Sequence, residues 1–242
     1  GQNALHFSSG AFGLLGRDPS MKDVSDPLSM MDKLSPDHPY SKIGKQKAEE
    51  YIKATIPFFR KYGIALKGFD GKNGWRLTAT GSMKRAWLSF EEVPFFESPD
   101  DLKADNALIV NFAGFLDFNV SLIGEGLRRR GIHTRAASLK LDCIEALRKN
   151  PSEMRSVNIA RVINREENWK EFARKVNEIL QGEDLVIVPE VFSLQDQVIC
   201  KWVAEMIPSK VLFLGTLPPS VSGIRTQRML KKAFESVGGT FL

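Results

Sequence analysis

Apolar and polar positions follow two different patterns along this chain. From residue 107 onward, short apolar runs alternate with amphipathic stretches. Ala107 to Phe112 is apolar except for Asn111, Leu185 to Val191 and Val211 to Leu214 repeat the theme, and Ile132 to Leu139 is another strand. Runs of this length, bounded by turn residues, read as buried strands. Between them lie helical patterns. One is capped by Asp117 and runs to Arg130, where Gly131 stops it. A short one covers Asp142 to Lys149. A third runs from Asn168, its cap, to Gln181, with Trp169, Phe172, Ala173, Val176, Ile179 and Leu180 on one side. A fourth is capped by Asp196 and turns Val198, Ile199, Trp202, Val203 and Met206 inward. A last one, Ile224 to Val237, stops at Gly238-Gly239. Strands alternating with helices predict right-handed crossovers and a parallel sheet covered on both faces.

Upstream the period changes. Ser41 to Tyr62 reads as one helix with Ile43, Ala48, Tyr51, Ile52, Thr55, Ile56 and Phe59 on a stripe, kinked at Pro57 and closed by Gly63. Ile64 to Phe69 is then a short strand, and Asp70 to Gly74 a turn of hairpin type. Trp75, Leu77 and Ala79 alternate with Arg76, Thr78 and Thr80, as on a half-buried strand, and Ala86 to Val93 is a third strand. Trp75 and Trp87 read as core aromatics. The fold class expected is therefore α/β: a mostly parallel sheet with helices on both faces, plus a small antiparallel β section at about residues 64–93. Residues 1–40 read as a loop segment preceding a central α/β domain, 41–242. In that segment Ser8, Ser9 and Gly10 are small enough for a flat ligand to approach the backbone. His6 is either catalytic or polar packing.

Composition sharpens this picture by exclusion. At 242 residues and 43% hydrophobic, the chain can bury one substantial core. The net charge of +5 comes from Lys and Arg spread over several helices. That distribution argues against a nucleic-acid groove, though a mild pull on anions remains. Two cysteines, Cys143 and Cys200, exclude four-thiolate iron–sulfur and structural zinc sites within these residues. No apolar run approaches the roughly 18 residues that a membrane helix needs. Neither a GxGxxG following a strand nor a P-loop, HExxH or GxSxG occurs, and His6, His38 and His133 share no metal-like spacing. The first residue is Gly, not Met, which suggests a processed or excised piece.

The candidate chemistry gathers at Thr216 to Arg225. Pro218 and Pro219 forbid both a continuing strand and a continuing helix, and Ser220 and Ser222 are natural N-caps. The helix start that follows offers N–H groups and a positive dipole end, with the Arg225 fork within about one turn. This is a place for an anionic group; the alternative is an ordinary capped helix with a solvated Arg. Ligands of open parallel sheets bind beyond the carboxyl ends of the strands. The turns at 114–117, 192–196 and 217–225 therefore belong on one rim. Asn158 and Arg161 are further candidates for a phosphate or carboxylate, with a solvated helix junction as the alternative. Arg85 is a secondary candidate.

Four separated blocks resemble one family. They are His6-Phe7-Ser8-Ser9-Gly10; His38-Pro39-Tyr40-Ser41; Val157 to Arg161 with Glu166 to Trp169; and Leu217 to Val221 with Gly223 to Arg225. Thr80 to Leu88 and Gly114 to Phe118 look like further landmarks. In order and separation they resemble the B subunits of the anaerobic glycerol-3-phosphate dehydrogenases, over almost the whole chain. The resemblance implies the central region of a larger flavoprotein, without its N-terminal dinucleotide-binding part and its C-terminal flavin part. It implies oxidation of sn-glycerol 3-phosphate to dihydroxyacetone phosphate, with electrons passed to membrane quinone. It implies FMN or FAD in the full-length protein, weak or absent here; that His6, Ser8, Ser9 and Gly10 lie beside it is read from the residues themselves, not from the resemblance. It also implies an FAD-bearing catalytic subunit and an iron–sulfur anchor subunit as partners, and a cytoplasmic position on the membrane's inner face through the complex. It assigns no catalytic residue. Two alternatives stand beside it: a non-catalytic electron-transfer or docking module, and a free-standing phosphate-ligand-binding α/β domain.

Overall fold

The computed structural model describes residues 7–8, 10–149, 154–195 and 197–241. His6, Ser9 and the expected cap Asp196 lie outside them. In chain order the elements are β1 (Ala11–Phe12), α1 (Pro27–Met31), α2 (Pro39–Ile43), α3 (Lys45–Lys61), β2 (Leu66–Gly68), β3 (Gly74–Leu77), β4 (Met83–Ala86), β5 (Leu88–Phe90) and β6 (Phe95–Phe96). The second half holds β7 (Asn106–Phe112), α4 (Val120–Arg128), β8 (His133–Leu139), α5 (Asp142–Glu145), α6 (Ser156–Ile163), α7 (Glu166–Ile179), β9 (Leu185–Pro189), α8 (Val198–Glu205), β10 (Lys210–Leu214) and α9 (Val221–Ser236).

The second half is the expected parallel sheet, in the order β10-β9-β7-β8. β7, β9 and β10 are largely apolar runs and β9 is buried throughout, while the edge strand β8 is half-polar. The chain leaves β7 in one direction, to β8, and returns past it to β9 and β10. With right-handed crossovers, this reversal puts α4 on one face and α7 with α8 on the other. Phe112, Phe172, Phe192 and Phe213 form a ladder of tilted and edge-on rings, 5.2–5.6 Å apart, through that second face. Each ring buries a large apolar area in a geometry that aromatic pairs favour.

The antiparallel section is real but differently wired. The turn at 70–73 forms, with Lys72 N–H donating to the Phe69 carbonyl at 2.8 Å. The strands it joins nevertheless belong to separate sheets: β2 pairs with β5 and β3 with β4 and β6. The expected hairpin is thus corrected, and 86–93 divides into the end of β4 and β5. The buried Asn73 inside the turn explains the divergence. Its amide donates at 2.8 Å to the carbonyls of Leu15 and Val24, tying the turn to the N-terminal loop.

Other boundaries shift for local reasons. The single helix at 41–62 is two, divided at Gly44 with φ +83, and α1 interrupts the expected loop at 18–39. Asn119, not Asp117, caps α4 by accepting from Leu122 N–H at 3.0 Å. Asn168 is inside α7, where its amide binds the Val162 carbonyl and closes the α6–α7 corner. On α8, Ile199 and Val203 face inward as expected, joined by Cys200, but Val198, Trp202 and the C-cap Met206 are 43%, 45% and 39% exposed. Where the β3–β4 turn meets α4, two glycines touch backbone to backbone. A Cβ on Gly126 would come within 2.7 Å of the Cα of Gly81.

Candidate functional site

The carboxyl-end rim of the sheet assembles as the topology requires. Strand order reverses between β7 and β9, the position where ligands of such sheets bind. Leu217 N–H donates to the Asp117 carbonyl at 2.9 Å, and the hydroxyls of Ser156 and Thr216 meet at 2.7 Å. Arg225 Nη1 reaches the Ser193 carbonyl at 3.2 Å. The turns at 114–117, 192–195 and 217–225 therefore share one lip, joined by the start of α6.

At one corner the first candidate segment meets the double-proline turn, whose Pro218–Pro219 bond is cis. Ser220 is the N-cap of α9: its Oγ accepts from Gly223 N–H at 3.0 Å and donates to the Ser8 carbonyl. Gly10 adopts φ +83, and a Cβ there would stand 2.8 Å from a Val93 methyl. Ser222 is not a cap. Its N–H donates to Glu190 Oε2 at 3.2 Å, and its Oγ is buried without a partner.

Arg225 corrects the expectation of an open fork. The residue is 2% exposed, and its Nη2 holds both Glu92 and Glu190, the latter at 3.3 Å. The start of α9 does meet a carboxyl group, but it is the chain's own Glu190. Burial raises the Glu92 carboxyl above its usual range and lifts that of Glu190 to about 8. Burial also works against the Arg225 charge, yet the two carboxylates win and hold its pKa above the ordinary value.

The remaining candidates do not converge on the rim. Arg161 donates to its helix neighbour Asn158 at 3.1 Å on the solvent side of α6. Arg85 stacks 4.2 Å over the Trp75 ring and donates to the Asn73 carbonyl at 3.0 Å, bracing the antiparallel section. A group that the sequence pattern does not single out sits on the rim. Arg155, the residue before α6, donates to Asp117 Oδ1 at 2.9 Å while its side chain stays 56% exposed. It stands beside Ser156 and Thr216. Glu92 and Glu190 were equally missed, because nothing local marks a glutamate as buried.

Behind the Arg225 cluster, a cleft of about 850 Å³ separates residues 91–96 from α8 and β10. Lys67, Glu92, Phe96, Gln197, Lys201 and Phe213 are among its walls. Among the described residues no group of three or more His, Cys, Asp or Glu could hold a metal ion. None of the described helices is long and apolar enough to cross a membrane.

The model of the family described as "FAD binding domain" matches residues 1–242. Curated relatives named as the B subunit of anaerobic glycerol-3-phosphate dehydrogenase are similar along the same span. That of Pectobacterium carotovorum is 38% identical over 99% of this chain and 58% of its own length. Those of Yersinia pseudotuberculosis and Aliivibrio fischeri are 33% and 32% identical, over 99% and 100% of this chain and 57% and 55% of theirs. The chain thus spans less than two thirds of these relatives. No solved structure matches. Tested against a flavin, the described residues do not by themselves make a cradle. Val93 closes over Gly10, Ser220 occupies the Ser8 carbonyl, and Ser222 Oγ has no exposed surface.

Proposed function

This chain belongs to the FAD binding domain family, and from that premise we propose that it is the central, substrate-side α/β part of a flavin-dependent B subunit. The enzyme in this reading oxidises sn-glycerol 3-phosphate to dihydroxyacetone phosphate and passes electrons to membrane quinone. Its partners are an FAD-bearing catalytic subunit and an iron–sulfur anchor subunit, which bring a cytoplasmic protein to the inner face of the membrane. FMN or FAD is gripped chiefly by the additional length that the relatives possess, with residues 6–10 lying against it. The 242-residue chain alone then binds flavin weakly or not at all.

The observation that carries the reading is the family match over every residue of the chain. On the rim, Arg155 supports it as the guanidinium with an open face, suited to a phosphate. The Ser156 and Thr216 hydroxyls beside it are buried and bond each other, which fixes the start of α6 against the rim. The test is Arg155→Ala in the assembled complex. A rise in KM for glycerol 3-phosphate, with flavin content and assembly intact, supports the reading. Unchanged kinetics overturn the assignment of Arg155.

A docking module without a substrate pocket is the second reading. The exposed apolar stripe of Val198, Trp202 and Met206 on α8 favours it. Trp202→Glu discriminates: lost assembly with intact turnover in whatever complex forms supports the module.

A further inference from the structure

Two carboxylates share one guanidinium nitrogen where water does not reach. The side chains of Arg225, Glu92 and Glu190 are 2%, 4% and 0% exposed. Both glutamates present Oε1 to Arg225 Nη2. Their other oxygens are also engaged, Glu92 Oε2 by Gln197 Nε2 and Glu190 Oε2 by Ser222 N–H. If both carboxyls were ionised, the cluster would carry a net negative charge in a low-dielectric interior, with like charges in reach of the same atom.

The surroundings decide which acid yields. Lys67, on β2, favours the charged form of Glu92, while the Cys200 thiol on α8 lies on the Arg225 side. Glu190 is left as the most enclosed member, and the proximity of Glu92 further disfavours its charge. Ser222 N–H is the group that meets Glu190 Oε2, at 3.2 Å.

We propose that Glu92, Glu190 and Arg225 form a buried proton-binding site that latches the wall of the cleft to α9. One proton, resident on Glu190 at neutral pH, lets both acids share the single cation. The three residues come from the cleft wall after β5, from the end of β9 and from the first turns of α9. When the proton leaves, the cluster gains a charge it cannot neutralise. Glu92 is the member that lines the cleft, so the wall at 91–93 is the part that yields toward water. The first candidate segment is fastened to the same wall. Phe90 N–H and Ser89 Oγ both donate to the Gly10 carbonyl, at 3.0 and 3.1 Å. The chain around Gly10 therefore registers the change as well.

The test uses the full-length protein that contains these residues, in wild-type and variant forms. Infrared spectra taken from about pH 6 to about pH 9 should show a protonated-carboxyl C=O band that disappears as pH rises through the alkaline step. Glu190→Gln should lack the band. Amide exchange at residues 90–94 and 220–225, corrected for base catalysis, should rise roughly tenfold over the same interval and stay flat in Glu190→Gln and Glu92→Gln. A wild-type protein with no such band at neutral pH overturns the proposal. So does an exchange step that survives in both glutamine variants. Should those variants fail to fold, the wild-type infrared titration decides alone.

Discussion

Two arginines on one rim illustrate how the same chemistry serves opposite ends. Arg225 and Arg155 each pair with a carboxylate at the carboxyl end of the parallel sheet. Arg225 is enclosed, shared between two glutamates and fixed by the Ser193 carbonyl. Arg155 holds Asp117 with one nitrogen and leaves more than half of its side chain to solvent. Burial makes the first pair indispensable to the fold and leaves the second free to meet a ligand. A guanidinium near a helix start is thus not in itself a binding group. What decides is whether the protein has already supplied the anion.

Removing the buried partner should give the largest effect. Arg225→Met strands the Glu92 carboxylate and the Glu190 acid in the core and should cost about 3–5 kcal/mol in urea unfolding. A loss below about 1 kcal/mol would erase the contrast between the two arginines. The pH dependence of unfolding sharpens the same contrast. The folded Glu190 pKa, about 8, lies above its ordinary value of 4.5. The stability it contributes is fully present below about 4.5 and is lost as pH rises through about 8. Unfolding midpoints should therefore fall over that window in the wild type and be level in Glu190→Gln. Arg155→Ala should reverse the pattern. Expected are a kcat/KM loss of roughly 10- to 100-fold for glycerol 3-phosphate in the full complex, about 1–3 kcal/mol, and a stability change under about 1 kcal/mol. Ser220→Ala should be the smallest, about 1 kcal/mol of helix-cap stability by thermal unfolding.

The parallel half was legible because β7, β9 and β10 are largely apolar runs, which fit a sheet covered on both faces, while the edge strand β8 mixes His133, Thr134, Arg135 and Ser138 with apolar residues. Even the meeting of three turns on one rim followed from that topology. The antiparallel half was only partly legible. Its strands are two to four residues long, and only β3 and β4 pair in chain order, so the alternation at 75–80 revealed a strand but not the sheet it joins. Helix faces failed on α8 because Trp202 and Val198 look like core residues while sitting on an outer surface. At the candidate site, the sequence marked the double-proline turn as a helix start, and the structure brings Ser8 to its Ser220 cap. The sequence could not anticipate that Glu92 and Glu190, far apart along the chain, would arrive there first. Arg155 gave no signal, since its value depends on the exposure of one side chain at a helix start.

The paired glycines where the β3–β4 turn rests on α4 make that junction a fulcrum. A single methyl group added at Gly126 would have no room beside Gly81 and would prise the turn from the helix. The displacement would travel along β3 to Asn73, whose amide carries the carbonyls of Leu15 and Val24. An alteration of one carbon atom on α4 would in this way be read out in the N-terminal loop, on another layer of the molecule.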